Sequence, residues 1–374
     1  MNILRNLMVI LLLWLPGLTA ARQDDSIQAL MSQISESMLQ LLPMINQKSP
    51  DMRVLNTEVG RLNNLFKAAG SHFEKAEITS QLNYFMISEQ LALASDYAQE
   101  NNLYSVKTTL AEAFQLCASC HTLDRHSRRA FGVSRLKDLD EFLAAEYSFL
   151  TRDYESALTS YKNYLSNVSD DYYRRALALD RILGITAGVY GDPALTRDTL
   201  RSLLPHLSPL SAEQVRVKDW VDVMIRLIRA PDDIQSPTHV KTMSEMDQFL
   251  GSEWPATQSA LTWNEQQAYW IIIRSSLNQF MQGEPGKDEM PQLLYWLAVS
   301  DRSLHYRFYE SLSRRYLDRC IRDYPDHAYA RKCFDEYELL MIVSYSGSGG
   351  INVPVEIQQE LNELRAIVYG TPDS

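Results

Sequence analysis

Residues 103–128 read LYSVKTTLAEAFQLCASCHTLDRHSR, and this stretch decides how the rest of the chain is interpreted. Its apolar and thiol side chains recur at intervals of three and four residues, which is the pattern of one face of an amphipathic helix. The stretch is therefore predicted to form a helix with two cysteines one turn apart and a histidine directly after the second. The residues on this face are Val106, Leu110, Ala113, Phe114, Cys117, Cys120 and His121.

Cys117, Cys120 and His121 form the pattern C-x-x-C-H, which is typical of the attachment site of a c-type haem. Two thiols one turn apart can form thioethers with the two vinyl groups of one porphyrin. Cys117 and His121 are four residues apart and share a face of the helix. We therefore expect one covalent haem c, held by Cys117 and Cys120, with His121 as the axial metal ligand.

Other interpretations of the cysteine pair stay open at this point. A thioredoxin-like C-x-x-C needs a βαβ context, and no strand is predicted before the motif. The main alternative is a haem-free exported scaffold of helical repeats, in which Cys117 and Cys120 form a disulfide or bind a metal ion. The sequence contains neither a G-x-S-x-G nor an H-E-x-x-H motif. An electron carrier or haem-binding module is therefore favoured over an enzyme, and catalysis is not decided.

The first 21 residues predict export from the cytoplasm. Arg5 precedes an apolar run from Leu7 to Leu18, and small residues follow, as in a secretory signal peptide. The apolar run is too short to span a bilayer comfortably, so we expect no membrane span after cleavage. The mature protein is expected in the periplasm, and this location favours the haem interpretation because covalent haem attachment takes place outside the cytoplasm.

The composition limits the choice of partner. The chain has 374 residues, with 36 Lys and Arg against 47 Asp and Glu, which gives a net charge of −11. An acidic chain of this kind opposes nonspecific nucleic-acid binding, which depends on clustered positive charge. The mature length is sufficient for two domains.

Residues 24–130 are predicted to form the first domain, an antiparallel four-helix bundle with short loops. The helices are expected at about 26–42, 52–69, 78–98 and 103–128. Pro43 should end the first helix, because proline disfavours helix in the residue before it. The third helix is expected to bury Leu82, Phe85, Met86, Leu93 and Tyr97.

A four-helix bundle with C-x-x-C-H near the end of its last helix resembles cytochrome c′, the class II c-type cytochromes. In that family a basic residue follows the haem histidine by four positions, where this chain has Arg125, suited to a haem propionate. Asp124 stands where the family usually has an aromatic residue. The resemblance implies electron transfer or small-gas binding at the iron, and a possible homodimer. Met31 and Met38 are candidates for the sixth iron ligand, with core packing as the alternative.

Residues 135–374 are predicted to form a second helical domain. Small residues in Leu143–Tyr147, followed after a turn by Ala157 and Tyr161, resemble a tetratricopeptide repeat. A similar echo occurs at Tyr324–Ala330, although the 34-residue period of such repeats is not kept. The predicted fold is therefore all-α: a four-helix bundle followed by an α-solenoid-like array of helical hairpins.

An aromatic-rich array of this kind can bind a protein in its concave face, here an unidentified redox or assembly partner. Packing between helices is the alternative role for these aromatic side chains. The tryptophans concerned are Trp220, Trp254, Trp263, Trp270 and Trp296.

Cys320 and Cys333 remain outside the motif, and in an oxidising compartment a disulfide between two predicted helices is expected. Two free buried thiols are the alternative. The glycine-rich stretch that follows Tyr345 lacks the lysine of a phosphate-binding loop and is interpreted as a connector.

Overall fold

The computed structural model of the protein describes residues 17–122, 133–167, 171–229, 237, 240–304 and 312–370. This part of the chain is almost entirely helical, which confirms the predicted all-α class. None of its helices combines the length and apolar character that crossing a membrane requires. Residues 1–16, which hold most of the predicted signal peptide, lie outside the described residues.

Helices are found at all four predicted places, but the first begins at Gly17 instead of near residue 26, a short helix Gly70–Phe73 was not predicted, and the break at Pro43 is absent. The first helix runs through this proline to Asn46, and the Asn46 side-chain amide donates to the Leu42 carbonyl at 2.8 Å. The expected break at Pro43 is therefore wrong by one turn. The helices are α1 (Gly17–Asn46), α2 (Met52–Ala68), α3 (Gly70–Phe73), α4 (Ile78–Gln99) and α5 (Leu103–His121).

Helix α4 buries a different face from the predicted one. Phe85 and Leu93 are each 45% exposed, whereas Ile87 and Leu91 are buried. Apolar residues occur all round this helix, so its sequence pattern does not select one face. The observed inner face carries small and polar residues that let α4 pack closely, and it consists of Thr79, Asn83, Ile87, Leu91, Ala94 and Ala98.

The C-terminal helices pack mainly on their neighbours along the chain. Short 3₁₀ or π segments interrupt the series at residues 133–138, 184–189, 204–206 and 249–253. The helices are α6 (Glu141–Leu150), α7 (Tyr154–Ser166), α8 (Tyr172–Leu183), α9 (Pro193–Leu203), α10 (Ala212–Arg229), α11 (Met243–Gln248), α12 (Trp254–Ser259), α13 (Trp263–Gln282), α14 (Met290–Leu304), α15 (Ser313–Asp323), α16 (Ala328–Ser344) and α17 (Val355–Tyr369).

The described residues group into two compact units. The first comprises residues 17–114 and 133–139, and the second comprises residues 115–122 and the chain from Asp140 onward. The division falls inside α5, between Phe114 and Gln115. The C-x-x-C-H motif therefore belongs to the second unit, although its helix is the fourth long helix of the predicted bundle.

A disulfide joins Cys320 on α15 to Cys333 on α16, as expected, with the two Cα atoms 6.3 Å apart. Both cysteines are completely buried. The glycine-rich connector after α16 contains a minimal antiparallel pair of strands, β1 (Ser346–Gly347) and β2 (Gly350–Ile351). Gly350 has φ +104°, a conformation that side-chain-bearing residues rarely adopt.

Candidate functional site

The C-x-x-C-H motif lies in the last turns of α5, as the sequence predicts. Phe114 and Leu116 are buried just before it, so apolar packing fixes this end of the helix. Cys117, Cys120 and His121 are partly exposed. The helix continues to His121, so Cys117 and His121 occupy one face and Cys120 lies beside them.

The imidazole of His121 is held by the turn between α6 and α7. Its Nδ1 lies 2.5 Å from the carbonyl oxygen of Leu150, the last residue of α6. A carbonyl can only accept, so Nδ1 carries the proton and, in the neutral ring, Nε2 carries the lone pair. A metal-ligating histidine in proteins is typically oriented in this way, by a hydrogen bond from its other ring nitrogen.

The backbone of His121 is held by the same turn. The hydroxyl of Tyr154, the first residue of α7, donates to the His121 carbonyl at 2.8 Å, and Tyr154 is completely buried. The α7 start is itself fixed by Asp153, whose side chain accepts from the Ser156 amide. Two contacts from one turn therefore set the position and the tautomer of His121.

The two motif thiols are not bonded to each other. Part of the Cys117 residue is open to solvent, but desolvation of its thiol, with a further contribution from Cys120, raises its pKa from 9.0 to about 12. Cys117 is therefore a thiol at neutral pH.

A buried polar network includes Gln115, which lies two residues before the first motif cysteine. The sequence analysis did not predict this network. Arg181 donates through Nε and Nη2 to the two carboxylate oxygens of Glu146, at 3.1 and 3.2 Å. Its Nη1 donates to Gln115 Oε1 at 3.1 Å, and its guanidinium carbon lies 4.5 Å from the Phe149 ring centroid. The Tyr161 hydroxyl donates to Glu146 at 2.5 Å. The network ties α5 to α6, α7 and α8.

The charged groups of this network shift the pKa values of their partners. Burial and then the Glu146 carboxylate raise the pKa of Tyr161 well above its ordinary value. Burial alone would lower the pKa of Arg181, but Glu146 and Tyr161 outweigh it and raise that pKa. Glu146 stands in an otherwise apolar stretch of α6, and this is the sequence signal that could have revealed the network.

Two further ion pairs join α8, which carries Arg181, to α10. Asp180 pairs with Arg216 at 3.0 Å, and Arg175 pairs with Glu213 at 3.1 Å. Arg216 also lies over the Trp220 ring, 4.9 Å from its centroid. Packing between these helices is therefore specified by charge as well as by apolar contact.

The remaining predicted site residues have varied positions. On α1, Met38 is buried and Met31 is partly exposed. Arg125 lies outside the described residues. Four of the five tryptophans of the second domain are at most 8% exposed, whereas Trp263 is 52% exposed. In the described ranges, no group of three or more His, Cys, Asp or Glu residues has an arrangement that could hold a metal ion.

Comparison of the chain with models of protein families, with curated proteins and with solved structures finds no match.

Proposed function

We propose that this protein is an exported mono-haem c-type cytochrome whose C-terminal helices form a repeat-like array that binds a protein partner. The observation that carries the proposal is the 2.5 Å contact from His121 Nδ1 to the Leu150 carbonyl. This contact leaves the ligating lone pair on Nε2, in a histidine directly after a C-x-x-C pair.

Each motif residue has a defined role in this proposal. Cys117 and Cys120 would hold the porphyrin through thioether bonds, and His121 would supply a nitrogen ligand to its iron. The Leu150 carbonyl raises the basicity of the imidazole through Nδ1, and the Tyr154 hydroxyl holds the backbone of the ligand residue. The bound haem would supply reversible one-electron redox chemistry or a binding position for a small gas.

The sixth iron position distinguishes these two uses. Ligation of the iron by a methionine side chain would raise the reduction potential and favour electron transfer. An open position would favour binding of a small gas. Optical spectra of the reduced and oxidised protein, with and without carbon monoxide, separate these possibilities.

The C-terminal array is proposed to dock a redox or assembly partner. The successive packing of α6 on α7, α7 on α8 and α13 to α17 in order supports an arrangement of helical hairpins. Tyr154, Ala157 and Tyr161 are buried at the first of these hairpins, as a tetratricopeptide-like packing would require. A periplasmic location and cleavage of residues 1–21 belong to the same proposal.

The haem proposal is tested by producing the full chain in a host with a haem-maturation system. The purified protein should show a Soret band, a pyridine haemochrome spectrum and the mass of one haem added to the mature chain. Haem should remain attached after denaturation, because the bonds are covalent. Replacing both Cys117 and Cys120 with Ala should abolish this attachment.

A matched control removes the other cysteine pair. Cys320→Ala with Cys333→Ala should leave the haem content unchanged, because this pair forms the disulfide far along the chain. His121→Ala should alter the axial-ligand bands of the spectrum. A colourless exported protein with two titratable thiols at Cys117 and Cys120 would contradict the proposal and favour the haem-free scaffold.

A further inference from the structure

An open groove of about 530 Å³ lies in the second unit, among α12, α13, α14 and α16. Trp263 and Trp270 line one side, and Leu339, Leu340 and Val343 line the other. Trp263 is 52% exposed and Val343 is 62% exposed, so apolar surface is left open to solvent here. A volume of this size, with mainly apolar walls, is typical of a small-molecule site.

The polar groups of the groove differ in how far they are satisfied within the protein. Gln258 and Gln266 are hydrogen-bonded to each other. Gln258 Nε2 donates to Gln266 Oε1 at 3.3 Å, and Gln266 Nε2 donates to the Gln258 backbone carbonyl at 3.2 Å. The indole nitrogen of Trp270 is closed off from solvent, so this residue contributes apolar ring surface to the groove and no accessible donor.

Arg302 supplies positive charge at the same groove. Its Nε lies 2.6 Å from a carboxylate oxygen of Glu336, and its side chain is 44% exposed. This contact engages one of the five N–H donors that a guanidinium carries. Arg302 therefore offers charged donors to the groove, whereas the side-chain amides of Gln258 and Gln266 are engaged within the protein.

We propose that this groove binds a small carboxylic acid with an aromatic or branched apolar body. The carboxylate, which only accepts hydrogen bonds, would pair with the exposed guanidinium donors of Arg302. The apolar body would cover Trp263, Leu339 and Val343, which water now contacts. The neutral amide of the same acid would present N–H donors to a groove that offers donors, and it should bind more weakly.

The test is isothermal titration calorimetry of the full-length protein with 3-phenylpropionate and, in parallel, with 3-phenylpropionamide. The acid should bind at least about tenfold more tightly than the amide, because a charge-assisted hydrogen bond would be lost. Arg302→Gln should weaken acid binding by about tenfold or more.

Arg365→Gln is the matched control, because Arg365 is also a half-exposed arginine paired with a glutamate, Glu338, and it does not line the groove. This variant should bind the acid as the unmodified protein does. The proposal is overturned if acid and amide bind equally, or if Arg302→Gln has no effect. Failure of the acid to bind at millimolar concentration also overturns it, even if an apolar peptide with a free C-terminus binds instead. None of these outcomes depends on the haem content.

Discussion

Replacing Glu146 with Gln should destabilise the protein strongly, because the buried Arg181 would lose the carboxylate that it donates to. The Arg181 side chain is 3% exposed, and that of Glu146 is 11% exposed. Removing one partner of a buried ion pair typically costs about 3–5 kcal/mol of unfolding free energy. Gln115 and the Phe149 ring still contact the guanidinium, so we expect the lower end of this range, about 3 kcal/mol.

The measurement is urea unfolding of the second unit within the full chain, followed by circular dichroism. Glu155→Gln provides the control, since Glu155 is exposed at the start of α7 and its loss should change the free energy by less than about 0.5 kcal/mol. Replacing Glu146 with Leu, Arg181 with Met and Tyr161 with Phe should recover most of the lost stability, because no buried charge or orphaned hydroxyl remains.

Two results would refute this reasoning. One is a Glu146→Gln variant that unfolds within about 1 kcal/mol of the unmodified protein, which would mean that water reaches the pair. The other is a triple variant as unstable as the single one, which would mean that shape rather than charge makes the site sensitive.

Three further predictions concern thiols and a helix cap. The first concerns protein produced without haem attachment. Cys117 should be alkylated at pH 8 about a thousandfold more slowly in the folded than in the unfolded protein. Folding raises the pKa of its thiol from 9.0 to about 12, so the folded protein contains less thiolate. The folded state holds this proton more tightly, so the associated stability is complete below about pH 9 and is lost as the pH rises towards 12 in an alkaline unfolding titration. Replacing Cys320 and Cys333, which are 13 residues apart, with Ala should lower the unfolding free energy by about 3 kcal/mol in calorimetry, and reduction of the unmodified protein should reproduce this loss. Thr262→Ala should cost about 1 kcal/mol in urea unfolding, because the Thr262 hydroxyl accepts from the Glu265 amide in a capping box at the start of α13.

The helices were predictable wherever one apolar stripe was unambiguous. Helix α2 lies where the sequence predicts one, at about 52–69, and it buries the regularly spaced Leu55, Val59, Leu62 and Phe66. The side chain of Asp51 caps this helix. Helix α4 shows the limit, because Phe85 and Leu93 compete with Ile87 and Leu91 for the same core and only packing decides between them. The disulfide was predictable because two cysteines flanked a turn in a chain that reads as exported.

The motif was visible in the sequence, but its surroundings were not. The partners of His121 lie 29 and 33 residues further along the chain, and one of them is a backbone carbonyl that no side-chain pattern encodes. The same holds for Gln115 and Arg181, which are 66 residues apart. Residues at such separations meet only through the packing of whole helices, so local periodicity contains no information about them.

The surroundings of His121 also bear on the choice between the two functions. In the haem proposal, Cys117 and Cys120 would hold the porphyrin and Nε2 of His121 would ligate its iron, with Nδ1 held by the Leu150 carbonyl. In the scaffold, the same contact would only hold the end of α5 against the turn between α6 and α7. The haem proposal therefore gives the two cysteines and the histidine one shared role, whereas the scaffold gives them separate roles.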